Sequence, residues 1–212
     1  MPERRPIIVA SIDKDLLDLL AEDPRWQPVG ILDPQGAGER PCGIPVLGAD
    51  ESWLHWSAVH GDAVVALAID VPGRRRAFAA QVDVDRYATV IAADAYVAPS
   101  ARLGAGCIVQ RRTTILADVV LGRGCKLNVG ATIHHDCAVG DWCTLAPGAR
   151  LLGSVQVGAA AYIGAGAVVL PRLRIGDGAI IGAGAVVTSD VPPGDTVTGV
   201  PARSSRVLME EL

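Results

Sequence analysis

The stretch NVGATIHHDC, residues 128–137, holds the side chains best suited to move a proton. Two adjacent histidines, His134 and His135, and then Asp136 interrupt a segment otherwise rich in small and aliphatic residues. An imidazole titrates near neutrality and can take a proton from an amine or hydroxyl. A neighbouring carboxylate orients the ring and stabilises the imidazolium. An amide side chain, as at Asn128, can position a substrate or polarise a carbonyl. These residue types nominate His135 and Asp136 as a catalytic pair, with Asn128 beside the substrate and His134 as a bystander.

The elements that must position them follow a period of six. Every sixth residue from Ile91 to Val187 is aliphatic, without an insertion. A second column lies four residues after each aliphatic. It contains no charge and is mostly small, as at Ala101, Cys107, Ala131, Ala161 and Ala185. Each unit thus supplies one large and one small inward group joined by a turn. Glycine is common directly after the aliphatic (Gly104, Gly122, Gly140, Gly158), where a turn of positive φ would favour it. Short strands and turns at fixed spacing describe a parallel β-helix, whose coils bury a core only by stacking. With three units per coil, residues 18 apart stack. The second and third positions after each aliphatic are then corners, so His135 and Asp136 project outward while Cys137 returns to the core. Trp142 occupies a corner expected near His135, as a pocket wall for the acceptor or as interface packing.

Residues 1–85 read as a separate small α/β domain of Rossmann-like type, and 86–212 as the β-helix with a C-terminal cap. PIIVA is a strand, DKDLLDLLAEDP a helix stopped by Pro24, WQPVGILD a second strand, and AVVALAI a strand buried on both faces. In such sheets the loop after the first strand often holds a phosphate with glycines. Here that loop is VASIDKD, which has no glycine and carries Asp13 and Asp15, both of which would repel a phosphate. Ser11 or Asp13 is suited to cap the following helix. Asp33 ends the second strand, either to accept a ribose hydroxyl or as an ordinary turn residue. WLHWSAVH, residues 53–60, is expected to pack against the β-helix, and the arginines at 74–76 to start a solvated helix.

Composition narrows the function classes. A net charge of −4 argues against a nucleic-acid or membrane-surface binder. No apolar run is long enough to span a bilayer, and the N-terminus lacks a secretory pattern. The five cysteines form no CxxC pair, which suits a reducing cytoplasm. Four of them fall in the small column and read as buried hydrophobes rather than as nucleophiles or metal ligands. Adjacent histidines that face different ways do not make the three-histidine site of a zinc-type carbonic anhydrase, and no metal is expected.

NVGATIHHDCAVGDWCTLAPGARLLGSVQVG, IGAGAVV and VVTSDVPPGDTVTGVPAR closely resemble the sugar acyltransferases of the sialic acid O-acetyltransferase type, and PCGIPVLG resembles that family's connecting loop. These include bacterial N-acetyltransferases acting on nucleotide-linked 4-amino sugars. The resemblance implies a Rossmann-like domain followed by a left-handed β-helix, acetyl-CoA as co-substrate, and homotrimers with the site between subunits. It implies His135 as general base, Asp136 as its orienting acid and Asn128 as a substrate-positioning residue. Gly153, Ala165 and Ala183 would lie along pantetheine. Thr144 stands where some members have a second histidine near the acetyl group. VASIDKD departs from the family's glycine-rich loop, so a non-nucleotide acceptor and a non-catalytic binding protein remain the alternatives.

Overall fold

The computed structural model describes residues 4–36 and 38–205. Strand β1 (Arg5–Ala10) lies in a parallel sheet between β2 (Trp26–Leu32) and β4 (Val64–Ala66), with β3 (Val46–Gly48) on the outer edge. Helix α1 (Lys14–Glu22) buries Leu16, Leu17, Leu19 and Leu20, and Asp13 caps it by accepting the Leu16 N–H at 2.9 Å. Leucines on one stripe give that helix its buried face, and the cap satisfies one of its orphan donors. Helices α2 (Trp53–Val59) and α3 (Pro72–Ala79) complete this part.

Three expectations for this segment are corrected. AVVALAI pairs only over Val64–Ala66, although Leu67, Ala68 and Ile69 stay buried. The chain leaves the sheet because side chains claim its carbonyls: Lys126 Nζ takes Ala68 O at 2.8 Å, and Arg75 takes those of Ile69 and Asp70. WLHWSAVH is anchored to the N-terminal sheet rather than to the β-helix. Trp53 joins the apolar cluster around Ile8, Ala10 and Leu32, and Trp56 Nε1 donates to Leu47 O at 3.2 Å. Arg75, expected in water, is 0% exposed.

From Val90 to Val187, two-residue strands stack in parallel with a register of i to i+18: Val90 pairs with Ile108, Ile108 with Lys126, Lys126 with Thr144 and Thr144 with Tyr162. Three sheets result. The first face carries the strands at 90, 108, 126, 144, 162 and 180; the second those at 96, 114, 132, 150, 168 and 186; the third those at 102, 120, 138, 156 and 174. The aliphatic and small columns meet inside, with Ile115, Cys125, Leu127, Ile133 and Leu145 all 0% exposed. A short antiparallel pair, Thr196–Thr198 with Arg203–Ser204, closes the last coil, and residues 206–212 of the expected cap lie outside the described residues.

Glycine does two separate jobs here. Those directly after the aliphatic do not sit at positive φ. A Cβ on Gly104, Gly122 or Gly140 would come within 2.5–2.7 Å of backbone nitrogen in the next coil, so they permit close stacking. Positive φ falls two positions later, at Gly106, Gly124 and Gly130, and at Asp136 (φ 60) and Trp142 (φ 65). Aspartate tolerates that left-handed region better than most side chains.

The N-terminal segment covers the first face. Outward-pointing Ile108, Lys126 and Thr144 are buried there, whereas Val120 and Ala138 on the third face are exposed. Arg75 joins the two parts. Nε donates to Gly124 O at 2.8 Å, and Nη2 to Trp142 O at 2.7 Å and Cys143 O at 2.9 Å. Both terminal nitrogens reach Thr144 Oγ1 at 3.0 Å. Burial works to lower the Arg75 pKa. A buried cation is tolerated only when its donors are satisfied, and here carbonyl dipoles do so.

Candidate functional site

Each coil has three corners, and the nominated residues divide among them. The corner between the first and second faces carries Asn128, Ala165 and Ala183. The corner between the second and third carries His135, Asp136 and Gly153. The corner between the third and first carries Trp142.

At the second corner, His135 Nδ1 lies 2.7 Å from Asp136 Oδ2, with side chains 59% and 58% exposed. In the tautomer whose Nδ1–H donates to Asp136, Nε2 is the ring nitrogen with a free lone pair. The left-handed φ of Asp136 turns its carboxylate back toward the preceding ring. Gly153, one coil on, forms the floor: a Cβ there would sit 2.8 Å from His135 Cε1 and Nε2. Ser154 N–H donates to His135 O at 2.9 Å and fixes the backbone. Cys137, next in the chain, points inward with Sγ 3.1 Å from Leu152 O, and burial raises its thiol pKa. It is therefore not a thiolate nucleophile.

At the first corner, Asn128 is 8% exposed. Its Nδ2 donates to Leu145 O at 3.2 Å and faces Asp70 Oδ1 at 3.4 Å. Asn128 lines a cavity of about 340 Å³ together with Ser11, Asp13, Asp15, Asp70, Gln110 and Lys126. Lys126 is 1% exposed and lies 2.8 Å from Asp13 Oδ2 and 2.9 Å from Asp70 Oδ1. Asp13 thus serves as helix cap and ion-pair partner at once, and its charge is not the free repulsive charge that the sequence suggested. Ala165 and Ala183 are exposed further along the same corner.

Other nominated residues are placed differently from expectation. Trp142 is on the next corner, not beside His135. It is 8% exposed, lies over the bare Cα of Gly124, and meets Tyr87 edge-on at 6.2 Å between centroids. Its indole fills the junction with the N-terminal segment. Thr144 is 0% exposed, and its hydroxyl donates to Asp70 O at 2.7 Å, so it faces protein rather than an acetyl group. Asp33 is spent on its own loop: Oδ2 accepts from Ile12 N at 3.1 Å and Ser11 Oγ at 3.3 Å, and Oδ1 from Gln35 N at 2.9 Å. Burial opposes its ionisation, but these hydrogen bonds and the charge of Arg74 hold its pKa below the ordinary value. Ser11 adopts φ 84, so the glycine-free loop keeps a left-handed turn. Sequence reasoning missed Lys126, Asp70 and Gln110. Lys126 sits at an outward strand position where a charge reads as solvated.

The bacterial transferase hexapeptide family (six repeats) matches residues 118–153 and 154–189. Perosamine N-acetyltransferase from Caulobacter crescentus, solved as a histidine mutant with CoA and GDP-perosamine, is 31% identical. The alignment covers 94% of this chain and 96% of that one, with a TM-score of 0.84. The chain belongs to the sugar acyltransferases built on a left-handed hexapeptide β-helix. This acyltransferase is also similar to the acetyltransferase domain of PglB from Neisseria gonorrhoeae FA1090, solved with acetyl coenzyme A, at 29% identity over 95% of this chain and 100% of that one (TM-score 0.86). WeeI from Acinetobacter baumannii AYE is 28% identical over 94% and 99%, with a TM-score of 0.81. No curated protein matches its sequence. Among the described residues no group of three His, Cys, Asp or Glu is arranged to hold a metal ion, and no helix is long and apolar enough to cross a membrane.

Proposed function

We propose that this acyltransferase moves an acetyl group from acetyl-CoA to an amino or hydroxyl group of a nucleotide-linked sugar, with His135 as general base. The observation that carries the reading is the His135–Asp136 pair, 2.7 Å apart and open to solvent above Gly153. The acceptor attacks the thioester carbonyl as His135 Nε2 takes its proton. The new C–N or C–O bond forms, the C–S bond breaks, and the CoA thiolate leaves and is protonated. Asp136 stabilises the imidazolium, and no covalent enzyme intermediate is needed.

The site is completed between copies. Asn128, Ala165 and Ala183 stand on one corner and His135 and Gly153 on the next, so one pantetheine arm along a single edge cannot touch both sets. A homotrimer that sets the His135 corner of one copy against the Asn128 corner of another unites them, as expected for small side chains along a close-fitting pantetheine. The relatives solved with GDP-perosamine and acetyl coenzyme A support the acceptor and donor classes. An acceptor without a nucleotide is the second reading, favoured by the net negative charge of the cavity beside Asn128, where three aspartates stand against two lysines.

The test is thiol release from acetyl-CoA by purified protein across nucleotide-linked amino sugars, with His135→Ala alongside. General base catalysis predicts a kcat loss of about 10²–10⁴-fold in the variant. Turnover unchanged in His135→Ala removes the histidine from the mechanism. Acetyl-CoA binding with no acceptor used would leave a non-catalytic binding protein.

A further inference from the structure

Asp70 is held more tightly than a surface aspartate needs. Its carbonyl accepts from Thr144 Oγ1 at 2.7 Å and from Arg75 Nη1 at 3.3 Å. Its Oδ1 faces Lys126 Nζ at 2.9 Å and Asn128 Nδ2 at 3.4 Å. Among the described residues Oδ2 has no hydrogen-bond or ion-pair partner, and the side chain is 59% exposed at the wall of the 340 Å³ cavity. Buried Lys126 already has a carboxylate partner in Asp13 at 2.8 Å, further fixed by Gln110 Nε2 at 3.0 Å. One ammonium therefore serves two carboxylates. With Lys14 and Asp15 also lining it, the cavity carries a negative excess beside Asn128.

We infer that Asp70 is the residue that selects an amine acceptor, its free Oδ2 accepting a hydrogen bond from the amino group to be acetylated. Lys126 and Asn128 hold Oδ1, which leaves Oδ2 without a partner on the cavity wall among the described residues. A carboxylate accepts but cannot donate. A neutral amine carries two N–H protons, one to donate to Oδ2 and one for His135 to take during attack, whereas a hydroxyl has a single proton and cannot serve both. The acidic lining also places the sugar's amino end, rather than its phosphates, in this cavity. The inference rests on the acyltransferase reading above and specifies N- over O-transfer.

The experiment compares the full-length protein with Asp70→Asn, using GDP-perosamine and a panel of nucleotide sugars bearing either an amine or only hydroxyls. The expected result is amine-selective turnover and a KM for the amino sugar raised about 10- to 100-fold in Asp70→Asn, in line with loss of a charge-assisted hydrogen bond. The acetyl-CoA KM and the melting temperature should stay near wild type, and Asp70→Glu should recover part of the lost affinity. An unchanged amino-sugar KM overturns the inference. So does a parallel rise in both KM values with a lower melting temperature, which would mark a structural clasp. Wild-type turnover confined to hydroxyl acceptors sinks the inference and leaves the acyltransferase reading standing. A wild type that neither turns over nor binds any amine of the panel, by calorimetry, sinks both.

Discussion

Gly153→Ala tests the geometry of the proposed base at its most sensitive point. The new Cβ would lie 2.8 Å from His135 Cε1 and Nε2. Carbon contacts settle near 3.5–4.0 Å, so the ring must retreat by about 0.7 Å or more. The backbone of Gly153 is not at positive φ, so alanine brings no conformational strain there. His135 is 59% exposed and free to swing outward, and the fold should lose no more than about 0.5 kcal/mol. A displacement near 1 Å at a reacting group costs on the order of 10²-fold in rate. The expected signature is therefore a large kcat loss at nearly unchanged stability, read from steady-state thiol release and a denaturant titration. Gly140→Ala is the control: its Cβ would meet Ala159 N at 2.7 Å, which is backbone and cannot swing away. That substitution should cost about 1–3 kcal/mol of stability. If Gly153→Ala kept wild-type kcat, the stacking of Gly153 under a catalytic His135 would be refuted.

Two further outcomes follow from the junction and the N-terminal loop. Arg75→Met leaves the carbonyls of Ile69, Gly124 and Trp142 without their donor, while Cys143 O keeps the Lys126 N–H and the Thr144 hydroxyl keeps Asp70 O, so stability should fall by about 3 kcal/mol or more in urea unfolding. Asp33 has a folded pKa below its unfolded one. Its contribution is present above the unfolded value and fades as pH falls through the folded value. Melting temperatures of wild type should drop across the acid side of the aspartate range, and Asp33→Asn should start lower at neutral pH and show a shallower acid slope.

The corner residues show where reading along the chain succeeds and where it stops. His135, Asp136 and Cys137 take the outward and inward directions that the period of six assigns, because each rung repeats the same local geometry. Trp142 and Thr144 defeat the same reasoning. Both occupy outward slots of the repeat, yet both are buried, because a segment distant in sequence packs over them. Arg75 looks solvated among three arginines and is the central rivet of the molecule. Nothing in its local pattern signals the carbonyls, from Ile69 to Cys143, that it will meet.

The β-helix, its 18-residue coil and the exposure of the His135–Asp136 pair are legible in the chain alone, since they depend on interactions that recur between stacked rungs. Which face is covered, and that Lys126 joins Asp13 to Asp70, emerge only in the folded molecule. Those facts depend on how one non-repeating segment docks against a regular wall. Docking is fixed by the summed fit of residues far apart in the chain, and no short-range pattern records it.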